Sequence, residues 1–263
     1  MGTAQLQGQL WGARARAWTD LQEVAFEPLY RDAFAAAGVG AGKRLLDVGC
    51  GAGLALANAA DLGAEVAGID AAEGLVAIAR QRLPQADVRV GELEELPWRD
   101  GAFDVVTGFN SFQYAEDRVH GLAEAARVLH DDGRLVAAVW GEPDGCDMAD
   151  YLAALGKCMP PPPPGAPGPW ALSSSGALEE LLRKAGLEPV ADGVSTAVFR
   201  FADDHAAREG LLASGPAVRA IEHSGEDRVA AGIAQSIAPF RAADGNYALA
   251  NGFRYVVARK AAA

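Results

Sequence analysis

The stretch RLLDVGCGAG, Arg44 to Gly53, decides how the chain reads. An apolar, strand-like run ends in three glycines, Gly49, Gly51 and Gly53, and Asp47 stands two residues before the first. Glycine loses more conformational freedom on folding than any other residue, so the cluster implies a backbone that bends sharply or lies close to something. A strand, a tight turn and a helix rich in small residues (Ala52, Ala55, Ala57) would aim backbone N–H groups past the strand's carboxyl end. A plain strand–turn–helix corner would need one glycine, not three.

Working outward, strand and helix patterns alternate. Apolar strand signals fall at 44–49, 65–70, 87–92, 103–110 and 134–141, with helical patterns between them, for example at 70–83 and 117–130. This rhythm predicts an α/β fold with a doubly wound, mostly parallel sheet. Residues 9–38 carry a helical pattern that Pro28 breaks or kinks. Beyond the fifth strand comes MPPPPPGAPGPW, Met159 to Trp170, which cannot be helix or central strand and is expected to be an extended loop. A helix over 176–186, strands at 198–201 and 253–259, and a helical insertion at 203–245 complete the pattern. The expected division is an N-terminal helical lid over 1–40 and a main domain over 41–263. The latter carries the proline-rich loop at 157–170 and the insertion as a cap.

Composition narrows the partners. Of 263 residues, 23 are Lys or Arg and 35 are Asp or Glu, a net charge of −12 that repels phosphate backbones and argues against nucleic acid. No apolar run of about 18 residues suggests a membrane span, and the first residues lack the apolar core of a signal peptide. Three cysteines without metal-type spacing fit a reducing compartment, and the four histidines are scattered, so no metal is expected. A cytoplasmic monomer or homodimer is the expectation.

The glycine turn departs from the dinucleotide fingerprint, because its third glycine comes one residue early and Leu54 fills that slot. Asp47 would oppose a pyrophosphate but favour a cation. Asp70, about 20 residues beyond the turn at the end of the second strand, stands where a carboxylate grips ribose hydroxyls, though it could equally cap a helix. The ligand therefore reads as a nucleoside carrying positive charge.

These residues resemble the class I S-adenosylmethionine-dependent methyltransferases, in particular their small-molecule branch. LLDVGCGAG is similar to that family's first motif, AGIDAAEGLVAIARQRL to its second strand and helix, and the segment from Val88 to Trp140 to the next three strands. HDDG at 130–133 departs from the family's usual Pro-Gly-Gly turn. The resemblance implies a Rossmann-like sheet of seven strands, mostly parallel with an antiparallel last strand. It implies S-adenosyl-L-methionine as cofactor and S-adenosyl-L-homocysteine as product. By position, Asp47 would lie near the methionine amino group and Gly49, Cys50, Gly51 and Gly53 would form the turn, with Cys50 only a small filler. Asp70 would bind both ribose hydroxyls, Ala71 would lie beside the adenine, and Glu92 would meet its amino group with Leu93 on the ring. Phe109, Asn110 and Ser111 would line the methionine end. Glu94 and Glu95 are read as a solvated loop.

Aromatic side chains near a sulfonium would add cation–π attraction, and Trp11, Trp18 and Tyr30 are candidates against ordinary core packing. A hydroxyl acceptor would benefit from a base, for which His223 in AIEHSG is the first candidate and His205 the second, with surface histidine as the plain alternative. Tyr114 could contact either ligand. Leu211, Leu212, Val218, Ile221, Ile233, Ile237 and Phe240 suggest a pocket for a flat or apolar molecule, or simply a core. The expected reaction is methyl transfer to a small metabolite at oxygen. Nitrogen or carbon acceptors, a non-methylating cyclase and an NAD(P)-dependent oxidoreductase stay open.

Overall fold

The computed structural model describes residues 2–161 and 168–261. Three helices come first: α1 (Ala4–Gly12), α2 (Ala15–Leu21) and, after a short 3₁₀ turn at Glu23–Phe26, α3 (Glu27–Ala37). Pro28 sits in the first turn of α3, where a missing N–H is no loss, so it starts a helix rather than kinking one. Then follow β1 (Arg44–Val48), α4 (Leu54–Asp61), β2 (Glu65–Asp70), α5 (Glu73–Arg82), β3 (Asp87–Val90) and β4 (Phe103–Phe109). After them come α6 (Arg118–Val128), β5 (Leu129–Trp140), α7 (Ala149–Lys157), α8 (Ala177–Lys184) and β6 (Leu187–Phe201). Helices α9 (Asp204–Leu211), α10 (Gly215–Ser224) and α11 (Glu226–Ile237) precede the last strand, β7 (Tyr247–Lys260).

The seven strands form one sheet in the order β3-β2-β1-β4-β5-β7-β6. β1 to β5 pair in parallel, and β7 lies antiparallel to both its neighbours. Helices cover both faces, which is why the central strands are apolar throughout rather than alternating. On one face Leu46, Val106 and Leu135 pack with Leu122 of α6 and Leu182 of α8; on the other Leu45, Val105 and Val136 meet Phe34, Leu56 and Val76. A third core joins Phe199, Phe201 and Phe253 to α7 and to Leu211, Val229, Ile233 and Ile237. Strand order reverses between β1 and β4, and in such sheets the crevice beyond the strands' carboxyl ends at that point is where ligands bind.

Two further expectations need correction. HDDG is not a turn after a helix: α6 ends at Val128, β5 begins at Leu129, and residues 130–133 bulge between the pairs Phe103–Leu129 and Val105–Arg134. β6 and β7 are much longer than the segments 198–201 and 253–259, because β6 is the sheet's edge and there Pro189 is tolerated beside a register shift. The proline loop lies partly at 162–167, outside the described residues. No helix of the described residues is long and apolar enough to cross a membrane, and no group of three metal-type side chains occurs among them.

Candidate active site

A cavity of about 660 Å³ opens at the reversal between β1 and β4, well within the 300–1,000 Å³ typical of small-molecule sites. Its floor is the glycine turn. The N–H groups of Gly49 and Cys50 both donate to the Ile69 carbonyl, at 2.7 and 3.0 Å, which folds the turn back over β2. Gly49 has φ +78°, and a Cβ there would lie 2.4 Å from the Ser111 Cβ, so only glycine fits. Gly51 also faces the cavity, while Gly53 sits behind it as the N-cap of α4, against Ala79.

Two carboxylates stand over this floor. Asp70 accepts the Gly51 N–H at 2.9 Å on one oxygen and the Ala72 N–H at 2.8 Å on the other. It is thus a turn clamp and a local cap at once, with lone pairs left over on both oxygens. Burial raises its pKa, against the pull of those N–H bonds. Asp47 accepts from the Thr107 hydroxyl at 2.6 Å. Burial pushes its pKa to about 7, opposed by that bond and reinforced by the charges of Asp70 and Glu23. Cys50 is buried and its thiol is pushed well up, so it is inert filling.

Beside Asp47 the chain leaves β4 through Asn110, a non-glycine residue at φ +53°. The Asn110 Oδ1, the Ser111 Oγ and the Gln113 Oε1 are all buried without a hydrogen-bond partner, and all three residues line the cavity. Buried polar atoms are normally paired, so these mark places a ligand completes. A carboxylate near neutrality and two amide oxygens form a wall of acceptors, which suits a cationic or N–H-bearing group. A nucleoside with a sulfonium and an ammonium group fits this set of acceptors.

The first helices roof the cavity. The Thr3 hydroxyl donates to the Tyr114 carbonyl at 2.6 Å, and the Ala4 N–H donates to Glu92 at 3.0 Å. Trp11 meets Trp18 and Tyr114 edge-on, at 6.1 and 5.9 Å between centroids. Glu23, 1% exposed, latches this roof to the glycine turn: it accepts from Arg82 at 2.8 Å and from the Leu54 N–H at 3.2 Å, while Arg82 also donates to the Ala52 carbonyl. Glu94 is no idle loop residue, since it accepts from the N–H groups of Glu116 and Asp117 just before α6.

Of the residues singled out in the sequence, Trp11, Trp18, Tyr30, Asp47, Gly49, Cys50, Gly51, Asp70, Ala71, Glu92, Leu93, Phe109, Asn110, Ser111 and Tyr114 converge on the cavity. His223 does not: it is exposed on the last turn of α10. His205 is likewise not among the lining residues. The Tyr114 hydroxyl has its pKa pushed up to about 12 by burial, so near neutrality it acts as a hydrogen-bonding group and not as a base. Leu211, Leu212, Ile221, Ile233, Ile237 and Phe240 of the insertion pack in the core with α7 and β6 rather than facing the cavity; from that insertion Ser214, Gly215, Pro216 and Arg219 reach it. Sequence reasoning missed the opposite wall: Phe26, Arg118, Trp140, Tyr151, Leu155 and Phe199. Trp140 carried a signal, since it ends β5 as Phe109 ends β4. Tyr151 carried none; its hydroxyl donates to the Leu211 carbonyl at 2.8 Å and meets Ser214, joining α7 to the insertion.

Comparison with known proteins agrees with this geometry. Residues 46–137 match the family model described as a methyltransferase domain. The chain is 34% identical over 204 residues to 27-O-demethylrifamycin SV methyltransferase of Amycolatopsis mediterranei, covering 71% of each chain. It is 35% identical to demethylmenaquinone methyltransferase of Beutenbergia cavernae, over 53% of this chain and 62% of that one. Among solved structures, the cyclase SpnF shares the fold with a TM-score of 0.55 at 23% identity, over 89% of this chain and 80% of the other. The chain belongs to the class I S-adenosylmethionine-dependent methyltransferases. It is an enzyme of that family, whose methyl donor is S-adenosyl-L-methionine.

Proposed function

We propose that the protein methylates a small organic acceptor at oxygen. When bound, the cofactor supplies an activated methyl group on a sulfonium, so the protein's task is alignment and exclusion of water, effects that can supply roughly 7–11 kcal/mol. Asp70 would hold the two ribose hydroxyls with the lone pairs that Gly51 and Ala72 leave over. Ala71 and Leu93 would flank the adenine and Glu92 would accept from its amino group. Asp47 and the Asn110 Oδ1 would face the ammonium, where the cation would draw Asp47 into its ionised form. Gly49 and Gly51 would let the backbone approach closely, with Phe109 and Ser111 beside the methionine chain. Trp11 and Trp18 would shield the reacting atoms, residues 1–40 acting as a lid and 203–245 as a cap.

The observation that carries this reading is the wall of acceptors made by Asp47 and the unpartnered side-chain oxygens of Asn110 and Gln113, in a cavity roofed by Thr3 and Trp11. A roofed cavity and a charge of −12 favour a small molecule over nucleic acid. Support for oxygen comes from the rifamycin relative, whose name specifies that atom. The test is incubation of the enzyme with a metabolite extract and trideuteromethyl-labelled cofactor, read by mass spectrometry. One labelled methyl should appear on an acceptor oxygen as S-adenosylhomocysteine accumulates. Consumption of a metabolite without a change of mass would replace transfer by cyclisation, and failure of the protein to bind the cofactor would remove the reading altogether.

A further inference from the structure

Only two cations line the cavity among the described residues, Arg118 at the start of α6 and Arg219 on α10, and neither has a carboxylate partner. Arg14, Arg44, Arg82, Arg89, Arg127, Arg208, Arg241 and Arg254 pair with Asp or Glu, whereas these two are the arginines that face the cavity with their charge uncompensated. Arg118 is half-buried, and among the described residues its one hydrogen bond runs from Nε to the Gln113 carbonyl at 3.2 Å, leaving both terminal nitrogens without a partner there. Burial without a compensating anion lowers its pKa. Arg219 is exposed and makes no hydrogen bond or ion pair among the described residues. Gly215 of α10 packs so tightly on Trp11 that a Cβ would lie 2.6 Å from its ring nitrogen, and Trp11 meets Tyr114 edge-on, four residues before Arg118.

The rest of that wall is apolar and aromatic. Phe26, Tyr30, Trp140 and Phe199 come from three segments, and Phe26 packs edge-on against Phe199 at 5.4 Å. The three carboxylates of the lining, Asp47, Asp70 and Glu92, sit at the carboxyl ends of β1 and β2 and just past β3. The lining thus carries carboxylates where the family's cofactor would lie and, on α6 and α10, two cations that form no ion pair with any of them. An uncompensated, partly desolvated guanidinium is costly unless a ligand supplies the anion, and its planar fork suits a carboxylate or similar oxyanion.

We propose that the acceptor is an organic anion with a flat apolar body, its acidic group held by Arg118 and Arg219 while the body lies against Phe26, Tyr30 and Trp140. This rests on the methyltransfer reading for which end of the cavity the cofactor takes. The acidic group is a handle and not the methylated atom, because a guanidinium draws off the lone pair a nucleophile needs. In an acidic protein whose overall field repels anions, two such arginines select for the charge locally.

The test uses a matched pair of probes, 6-hydroxy-2-naphthoate and its neutral primary amide, titrated by calorimetry into enzyme saturated with S-adenosylhomocysteine. The acid is expected to bind about tenfold tighter than the amide, the share one charge-assisted pair contributes. R118Q and R219Q should each erase most of that preference, leaving the amide's affinity and the S-adenosylhomocysteine affinity unchanged, and R118K should restore part of it. Equal binding of acid and amide, binding of neither, or a preference that survives in the double variant overturns the proposal. So does loss of S-adenosylhomocysteine affinity in R118Q, which would assign the guanidinium to the cofactor's own carboxylate. Wild-type enzyme that fails to bind S-adenosylhomocysteine sinks the methyltransfer reading instead, a separate and distinguishable result.

Discussion

The two walls of the cavity are built from different materials. One is mostly backbone: the turn from Gly49 to Gly53, closed onto β2 by the Ile69 carbonyl and clamped by Asp70, all within some two dozen residues. The other is side chains alone, brought by Phe26, Trp140, Tyr151, Phe199 and Arg219 from segments spread over most of the chain. A backbone wall demands particular residue types at particular spacings, because a positive φ or a sub-van-der-Waals gap admits nothing else. A side-chain wall demands only that bulk and charge arrive at the right place, which many sequences achieve.

The sharpest way to break this contrast is to put a side chain into the backbone wall. Gly49→Val meets both a left-handed φ and the Ser111 Cβ. The conformation costs roughly 1–2 kcal/mol, and the overpacking a further 1–3 kcal/mol. The expected result is a large drop in Tm and no detectable cofactor binding by calorimetry. A variant that melts and binds like wild type would mean that the turn is far softer than its geometry implies.

Next in size is Asp70→Ala. It strands the N–H groups of Gly51 and Ala72, at about 1–3 kcal/mol for each one left buried and unpaired. It also removes the carboxylate proposed to hold the sugar. Cofactor affinity should fall about 100-fold, corresponding to about 2.7 kcal/mol, while circular dichroism keeps its native shape. Affinity within threefold of wild type would move the sugar elsewhere.

What could be read in advance follows the same division. The parallel strands, Asp47, Asp70 and the glycine turn were legible because each is a local pattern with a local cause. The length of β6 was not, since Pro189, Asp192 and Gly193 argue against a strand and are tolerated only because the element lies at an edge. Nor was the side-chain wall. Leu211, Ile233 and Phe240 have the same apolar character whether they line a pocket or fill a core, and only the packing of α11 on α7 decides.

A smaller effect separates the walls by pH. The buried Asp47 keeps its proton to about pH 7, whereas in the unfolded chain it releases it near 4. Between those values the unfolded chain binds fewer protons than the folded one, so this group's contribution to stability declines as pH rises, by up to about 1.4 kcal/mol per unit, and levels off above 7. A cationic ligand needs the ionised form, so cofactor affinity should climb over the upper part of that window, by up to about tenfold per pH unit. Melts and titrations from pH 5 to 8 should therefore slope in opposite directions, and Asp47→Asn should flatten both. Parallel slopes, or slopes unchanged in the variant, would place the titrating group elsewhere.

The smallest effect is expected at His223, the residue that a sequence reading would make the base. Pro216, Arg219 and His223 are spaced three and four apart, so they share one face of α10, and the first two reach the cavity. His223 lies one turn, about 6 Å, beyond Arg219 along the helix axis, exposed near the C-terminus, where its charge would add at most a few tenths of a kcal/mol through the helix dipole. His223→Ala should leave turnover within twofold and Tm within about 1 °C, by the scaling of stability with Tm for a chain of this size. A tenfold loss of turnover without loss of cofactor affinity would require α10 to advance by that one turn when the acceptor binds. The side-chain wall would then be mobile as well as dispersed, and the contrast with the glycine turn would be one of dynamics as much as of material.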